Sequence, residues 1–482
     1  MPVDDERPLL LLFRHDLRVG DNLALCAAAE TGRPVAAAFI LDEQSEGARP
    51  LGGARRWWLH HSLTALKEAL EKLGLNLVLR RGPMVETATS LAQETGAGTV
   101  FWNRRYDPAG IASDTRMKSV FRERGIETDS FSGHLLHEPW RLKTGSGGPY
   151  RVFTPFWRAM RDTIHPRPPA DPPVQVKHYE GHLQGDTLEG WNLLPQKPDW
   201  STGLQESWTP GERGARERLA DFVDGTGENY KSRRDLMAVP GTSGLSPHLA
   251  HGEITPFQIW QALDGESDIG EEDLQTFRKE IGWREFCWHL LFHNPSLATE
   301  NYNRDFDAFP WRKDHDALQS WQRGETGYPV VDAAMRQLWE TGWMHNRARM
   351  VVASFLVKHL GIHWREGEEW FWDTLVDADP ASNPANWQWV AGSGADAAPF
   401  FRIFNPVLQG EKFDPKGNYV RRYVPELAAL PDKHLHQPWK APQSALEKAD
   451  VELGQTYPRP MVDHKTARER ALDAYKSVRN AG

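Results

Sequence analysis

The run Trp343-Met-His-Asn-Arg-Ala-Arg-Met350 opens an apolar helical pattern with three strongly polar side chains, Asn346, Arg347 and Arg349. Downstream, Leu375-Val-Asp-Ala-Asp379 places Asp377 and Asp379 just after the aromatic segment Trp370-Phe-Trp372. Residues 332–339 and 346–360 carry apolar side chains on more than one face, which predicts deeply buried helices. An arginine in such a place needs a carboxylate, because an unpaired buried charge is strongly destabilising. Pairing Arg349 with Asp377 satisfies both and builds a rigid polar wall inside an aromatic pocket. The same pair also reads as a plain structural ion pair. A second candidate is Gly241-Thr-Ser-Gly-Leu-Ser-Pro-His248, where the hydroxyls of Thr242, Ser243 and Ser246 and a flexible backbone precede a helix. That arrangement either cradles a phosphate at a helix N-terminus or simply caps a loop. The third is tryptophan, with 21 in the chain and most of them in its second half. Core packing, base stacking and electron carriage all use this side chain, and composition does not choose among them.

Other signals are weaker. His289 and His293 stand four apart in a helical run, which is metal-ligand spacing, but no acidic third ligand lies beside them and the stretch between is apolar. Helix packing is the preferred reading. Gly392-Ser-Gly394-Ala-Asp-Ala397 half-fits a dinucleotide fingerprint and lacks its third glycine and its preceding strand. No Walker loop and no Gly-x-Ser-x-Gly elbow occurs, so ATP-driven and hydrolytic chemistry lack support. A net charge of −9 excludes a generally basic nucleic-acid coat, but a DNA enzyme needs only one basic face.

These groups need a framework. Leu9–Phe13, Val35–Leu41, Leu75–Leu79 and Thr99–Trp102 are short apolar runs that read as buried strands. Ala54–Lys72, Val85–Glu94 and Ser113–Arg124 between them have helical spacing. The alternation predicts an α/β domain over 1–131 with a doubly wound, mainly parallel sheet. Ligands of such sheets sit at the carboxyl ends of strands, here after Phe13 and Trp102. Residues 132–208 are rich in Pro and Gly and read as a long linker with short helices, one over Tyr150–Arg161. Residues 209–482 predict a larger all-α domain, with helices over Glu212–Asp224, Pro256–Asp264, Glu271–Asn294, Tyr328–Thr341, Asn346–Gly361, Gly367–Val376 and His464–Ala481. Two cysteines, Cys26 and Cys287, fall in different domains, so a reducing cytoplasm is expected and a disulfide framework is not. The N-terminal apolar run is too short to span a bilayer and lacks the features of a secretory leader.

Four strings are distinctive: Gly327-Tyr-Pro-Val-Val-Asp-Ala-Ala-Met-Arg336, Thr341-Gly-Trp-Met-His-Asn-Arg347, Asn386-Trp-Gln-Trp389 and Asp396-Ala-Ala-Pro-Phe-Phe-Arg-Ile-Phe-Asn-Pro406. With Phe13-Arg-His-Asp-Leu-Arg18 and Asp21-Asn-Leu23, they resemble the photolyase/cryptochrome family, nearest to class I cyclobutane pyrimidine dimer photolyases. The resemblance spans nearly the whole chain in order. It implies an antenna α/β domain, a linker, and a helical domain holding FAD folded in a U. The implied reaction is electron transfer: excited, fully reduced FAD donates to a dimer flipped out of UV-damaged DNA, the cyclobutane ring opens, and the electron returns.

The resemblance also implies roles residue by residue. Tyr230, Thr242, Ser243, Gly244, Leu245 and Ser246 match positions around the FAD phosphates. Glu280, Trp283 and Arg284 match a pocket shared by flavin and lesion. Asn346, Arg349, Asp377, Ala378, Asp379 and Asn383 match the isoalloxazine surroundings, with Asn383 facing flavin N5. Trp387, Trp364 and Trp311 match a relay that re-reduces the flavin from the surface. Glu280 is expected to bond the pyrimidine edge, Met350 to pack on the dimer, and Trp283 and Trp389 to flank it. Arg234, Arg347, Arg402 and Gln409 match a rim for the lesion strand. The antenna position departs from the folate pattern: Tyr106-Asp-Pro-Ala-Gly110 sets Ala109 and Gly110 where that pattern has an Asn-Glu pair, and Leu51–Trp58 differs too. A deazaflavin, a folate held differently, another flavin or an empty site remain open. No metal, no membrane and no obligate protein partner are expected, and the protein is expected to be a monomer. The rival readings are a cryptochrome photosensor and a (6-4) photoproduct photolyase; Asn346, in Met344-His345-Asn346, speaks against the latter. More distant is a carbohydrate-binding or hydrolytic protein that uses exposed tryptophans as platforms.

Overall fold

The computed structural model describes residues 6–264, 269–400 and 402–479. Its first layer is a five-stranded, all-parallel sheet: β1 (Leu9–Phe13), β2 (Val35–Leu41), β3 (Leu77–Arg81), β4 (Thr99–Asn103) and β5 (Glu127–Phe131), in the order β3-β2-β1-β4-β5. β1 is buried at every position and so is β2, as strands covered on both faces must be. Helices α1 (Leu23–Glu30), α2 (Gly53–Lys72), α3 (Met84–Thr95) and α4 (Pro108–Glu123) make the crossovers. Two separate cores, one on each face, hold alternate residues of β1: Leu9, Leu11 and Phe13 on one side, Leu10 and Leu12 on the other. The predicted doubly wound α/β domain is therefore observed.

The predicted third strand is shifted by two residues. β5 went unread because its segment Glu-Thr-Asp-Ser-Phe is polar and half exposed, as an edge strand allows. Helix α4 begins five residues before the predicted start. Asp107 caps it, its side chain accepting from the Gly110 amide, and Pro108 occupies the first turn.

Helix α5 (Phe153–Thr163) lies in the linker, starting three residues and ending two residues later than read. The second layer is helical: α6 (Glu271–His293), α7 (Pro329–Thr341), α8 (Asn346–Ser354), α9 (Trp364–Thr374), α10 (Ser382–Ala391) and α11 (His464–Arg479) carry or enclose the site. The predicted helix over 346–361 changes character after Ser354, where Phe355–Leu360 form a wider π-type turn. Helix α10 was not anticipated, the helix expected beside the 241–248 segment is found as the short Ser246–His251, and Gly367–Val376 is found as Trp364–Thr374. Residues 480–481 of the last predicted helix, and Phe401 of the motif 396–406, lie outside the described residues. No described helix is long and apolar enough to cross a membrane.

Candidate flavin and electron-transfer site

The wall anticipated from charge pairing is formed. Arg349 on α8 donates from Nη2 to Asp377 Oδ2 at 2.8 Å and from Nε to the Met344 carbonyl at 2.8 Å. Ser246 donates its hydroxyl to the same Asp377 oxygen at 2.6 Å. Asp377 Oδ1 is buried and has no partner among the described residues. A buried carboxylate oxygen left bare is expensive unless a donor arrives from elsewhere. Asp379 spends its Oδ1 on the amides of Ala381 (2.9 Å) and Ser382 (2.6 Å), fixing the entry to α10, and the intervening Ala378 is buried. Asn383, in the first turn of α10, is buried and donates to Glu368.

The loop 241–245 brings Thr242, Ser243 and Gly244 to this wall through Leu245 and Ser246. Gly244 has φ +62°, a left-handed turn against which Arg218 packs, a Cβ there standing 2.7 Å from its Nη1. Tyr230 is buried against Phe222 and Phe277, and burial pushes its phenol up.

On the opposite rim, Arg234 is paired with Glu280 Oε1, and Arg347 with Asp235 at 2.9 Å while lying over the Phe413 ring. Two predicted basic contacts are thus already neutralised by carboxylates. Arg402 is exposed, Gln409 half-buried with a bare Oε1, and Asn346 exposed, with Met350 half-buried one turn on. His345 caps α8, its Nδ1 accepting from the Arg347 amide at 3.1 Å; burial lowers the ring to about 4, which keeps that acceptor neutral. Trp283 is stacked on Phe153, ring centroids 3.7 Å apart and 10° from parallel, so one face is covered by the linker helix. Arg284 is directed to the His134 carbonyl (3.0 Å) and Glu285 (3.2 Å) at the domain junction. Trp389 is half-buried.

The three relay candidates form a graded series. Trp387 is buried on α10 and packs where a Cβ on Gly367 would stand 2.1 Å from its ring. Trp364 is fully buried, its Nε1 donating to Asn301 Oδ1 at 2.8 Å. His363 bridges Trp364 (5.5 Å) to Trp311 (4.8 Å), which is half-buried. His289 has both ring nitrogens taken up by backbone, accepting from the Tyr150 amide at 3.0 Å and facing the Pro139 carbonyl at 3.2 Å, as a packing histidine would. The 392–397 segment ends α10, with Gly392 at φ +94°.

Sequence reasoning missed the contribution of the sheet domain. Arg55 on α2 is 3% exposed, and its Nε has no partner among the described residues. Burial pulls it down to about 10, only partly opposed by nearby Asp379 and Asp377. Glu368 and Arg49 were missed too; nothing local in the sequence marks any of the three as part of the site. The strand-end crevice after Phe13 and Trp102, in contrast, is filled. His15, Asp16, Arg18, Asn103, Arg104, Arg105, Gly133 and His134 enclose a cavity no larger than a water molecule. Domain docking takes its place: Leu17 N donates to His251 O at 3.3 Å and Arg18 Nη1 to Gly252 O at 2.9 Å.

Residues 9–174 match the family model for DNA photolyase, and residues 277–477 the FAD binding domain of DNA photolyase. The chain belongs to the photolyase/cryptochrome family. A deoxyribodipyrimidine photo-lyase of Agrobacterium fabrum is 59% identical over 98% of both chains. Cryptochrome-1 of Arabidopsis thaliana is 38% identical over 97% of this chain and 70% of its own length. Among solved structures, a bacterial class III photolyase from Agrobacterium tumefaciens superposes with TM-score 0.96 at 58% identity, covering 99% of this chain and 98% of its own. An archaeal photolyase from Sulfolobus tokodaii, described with two FAD molecules, superposes with TM-score 0.82 at 29% identity, covering 98% of this chain and 100% of its own. The donor set fits FAD: a bare buried acceptor at Asp377, a small-residue loop rich in hydroxyls, and a buried cation at Arg55.

Proposed function

We propose that this protein is a light-driven deoxyribodipyrimidine photo-lyase that splits cyclobutane pyrimidine dimers, using one fully reduced FAD per chain. The observation that carries this reading is helix α10, which sets Asn383 and Trp387 one turn apart. It thereby joins the carboxylate wall to a tryptophan series that runs from buried to half-exposed. When bound, FAD supplies the photoexcited electron. The chain's own work is to hold it, keep water out and seat the lesion. Asp377 Oδ1 would accept from the cofactor, with Ser246 and Arg349 fixing its partner oxygen, and Thr242, Ser243 and Gly244 would meet the phosphates. Arg234 holds one oxygen of Glu280, leaving Oε2 for the pyrimidine edge. Met350 and the free faces of Trp283 and Trp389 would flank the dimer. Arg347, Arg402 and Gln409 would grip the backbone without reading sequence; damaged DNA opens the Arg347–Asp235 pair.

A second, antenna chromophore is part of the proposal, supported by the light-harvesting cofactor implied for the Sulfolobus relative; a folate or a deazaflavin are the types in view. The 58% identity to a class III enzyme supports that subclass over class I. The proposed organisation is an antenna domain over 1–131, a linker over 132–208 and a repair domain over 209–482, in a cytoplasmic monomer. The Arabidopsis cryptochromes, 38% and 37% identical, favour a photosensor as the second reading. Blue-light assays on DNA carrying either a cyclobutane dimer or a (6-4) photoproduct decide among these. Light-dependent loss of the cyclobutane dimer alone is expected; loss of neither, with fully reduced FAD bound, sinks the proposal.

A further inference from the structure

Arg49 lies in the loop between β2 and α2 of the sheet domain and reaches across to α9. Its Nη1 and Nη2 donate to Glu368 Oε1 and Oε2 at 2.8 and 2.9 Å, and the Glu368 side chain is 2% exposed. The guanidinium also lies 4.1 Å from the Trp372 ring centroid. The loop around it has no slack. Trp372 Nε1 donates to the Pro50 carbonyl at 2.8 Å, the Gly53 amide to Asp373 Oδ1 at 2.8 Å, and a Cβ on Gly52 would stand 2.2 Å from the Trp372 carbonyl oxygen.

Glu368 in turn faces Asn383. The Asn383 amide nitrogen donates to Glu368 Oε1 at 2.7 Å and to the Glu368 carbonyl at 3.0 Å. An amide nitrogen has two hydrogens, and both are used. Turning the amide over would set its oxygen against two acceptors, one of them charged. The two-pronged arginine donates to both Glu368 oxygens, so both serve as acceptors and neither rewards such a flip.

We propose that Arg49 is a positioning residue for the flavin: through Glu368, the sheet domain locks Asn383 so that only its amide oxygen faces the cofactor. This rests on the reading of the pocket as an FAD site with Asn383 beside N5. A fixed acceptor there favours an N5 that carries hydrogen and repels the lone pair of one that does not. Locking the amide therefore raises the flavin's reduction potential, whereas an amide free to turn would serve both forms.

The test is a redox titration of the full-length, FAD-loaded protein, followed by its visible spectrum. Arg49→Met and Glu368→Gln are each expected to shift the oxidised-to-reduced ratio at fixed poise tenfold or more toward oxidised, about 30 mV for a two-electron couple. Arg49→Lys, a point charge without the fork, falls between. The double variant shows no more than the larger single shift, because both changes cut one chain of contacts. The double variant also removes both charges, so it guards against a single variant that fails to fold. A double variant whose potential stays within twofold of wild type overturns the proposal, whatever happens to its melting temperature. A wild-type protein that takes up no FAD overturns the pocket reading, and this inference with it.

Discussion

In the sheet domain, Arg14 and Asp114 form a buried pair in which both carboxylate oxygens are matched. Oδ1 takes Arg14 Nη1, while Oδ2 takes Nη2 at 3.3 Å and Trp102 Nε1 at 2.9 Å. In the helical domain, buried Asp377 pairs with Arg349, whose side chain is 26% exposed. There Oδ2 is doubly held by Arg349 and Ser246, while Oδ1 is bare. The groups are alike and the completeness differs. On the carboxylate side the sheet-domain pair is closed, with only Arg14 Nε left bare among the described residues, whereas the carboxylate of the helical-domain pair lacks one donor and is held ready for a ligand that brings it. The closed pair stands beside the strand-end crevice, where fold-level expectation had put a ligand and where the structure has only room for a water molecule. The open pair stands where FAD is proposed.

Replacing Asp114 with Ala strikes the closed network and should have the largest effect. It leaves Arg14 buried without its carboxylate, at a cost of about 3–5 kcal/mol, readable in chemical denaturation with or without FAD. Asp377→Asn should separate the two regions. FAD affinity is expected to fall by about 1.5–3 kcal/mol, since hydrogen bonds to a charged group are lost, with a smaller change in the stability of the flavin-free protein. Equal losses in both would make the pair structural and erase the contrast.

A buried lysine gives a pH handle. Lys358, in the π-type turn, is 1% exposed and donates to the Arg402 carbonyl at 3.0 Å; burial, aided by Arg402, lowers it from 10.5 to about 7. Between pH 7 and 10.5 the unfolded chain would hold a proton here that the folded chain does not, so this group's contribution to stability rises with pH across that window. Lys358→Met should flatten the rise, measured as the difference in melting temperature between variant and wild type. The smallest stability effect belongs to Trp311→Phe, within about 0.5 kcal/mol. Its light-driven flavin reduction should nonetheless slow by more than tenfold in a flash experiment, because the half-exposed end of the series is cut.

What could be read from sequence follows where the forces are local. β1 and β2 were found with their ends correct because unbroken apolar runs between breakers admit one interpretation. Arg349–Asp377 was legible because a buried carboxylate and an arginine that close in sequence must answer each other, although Arg349 stays partly exposed. Arg49–Glu368 was not, since 319 residues separate its partners and each looks like a surface charge until two domains meet. Arg55 escaped for the same reason. Helix α10 was passed over because Ser382–Ala391 is buried along much of its length and shows no amphipathic stripe. The lesion rim was read as free basic charge; its pairing with Glu280 and Asp235 depends on tertiary placement alone.

The most direct test of the open site is the absorption spectrum of the purified protein, recorded before and after titration with FAD. The account predicts one flavin per chain, a marked loss of binding in Asp377→Asn, and an added near-ultraviolet or blue band if the antenna chromophore is retained. A colourless protein that cannot be loaded with FAD would contradict it.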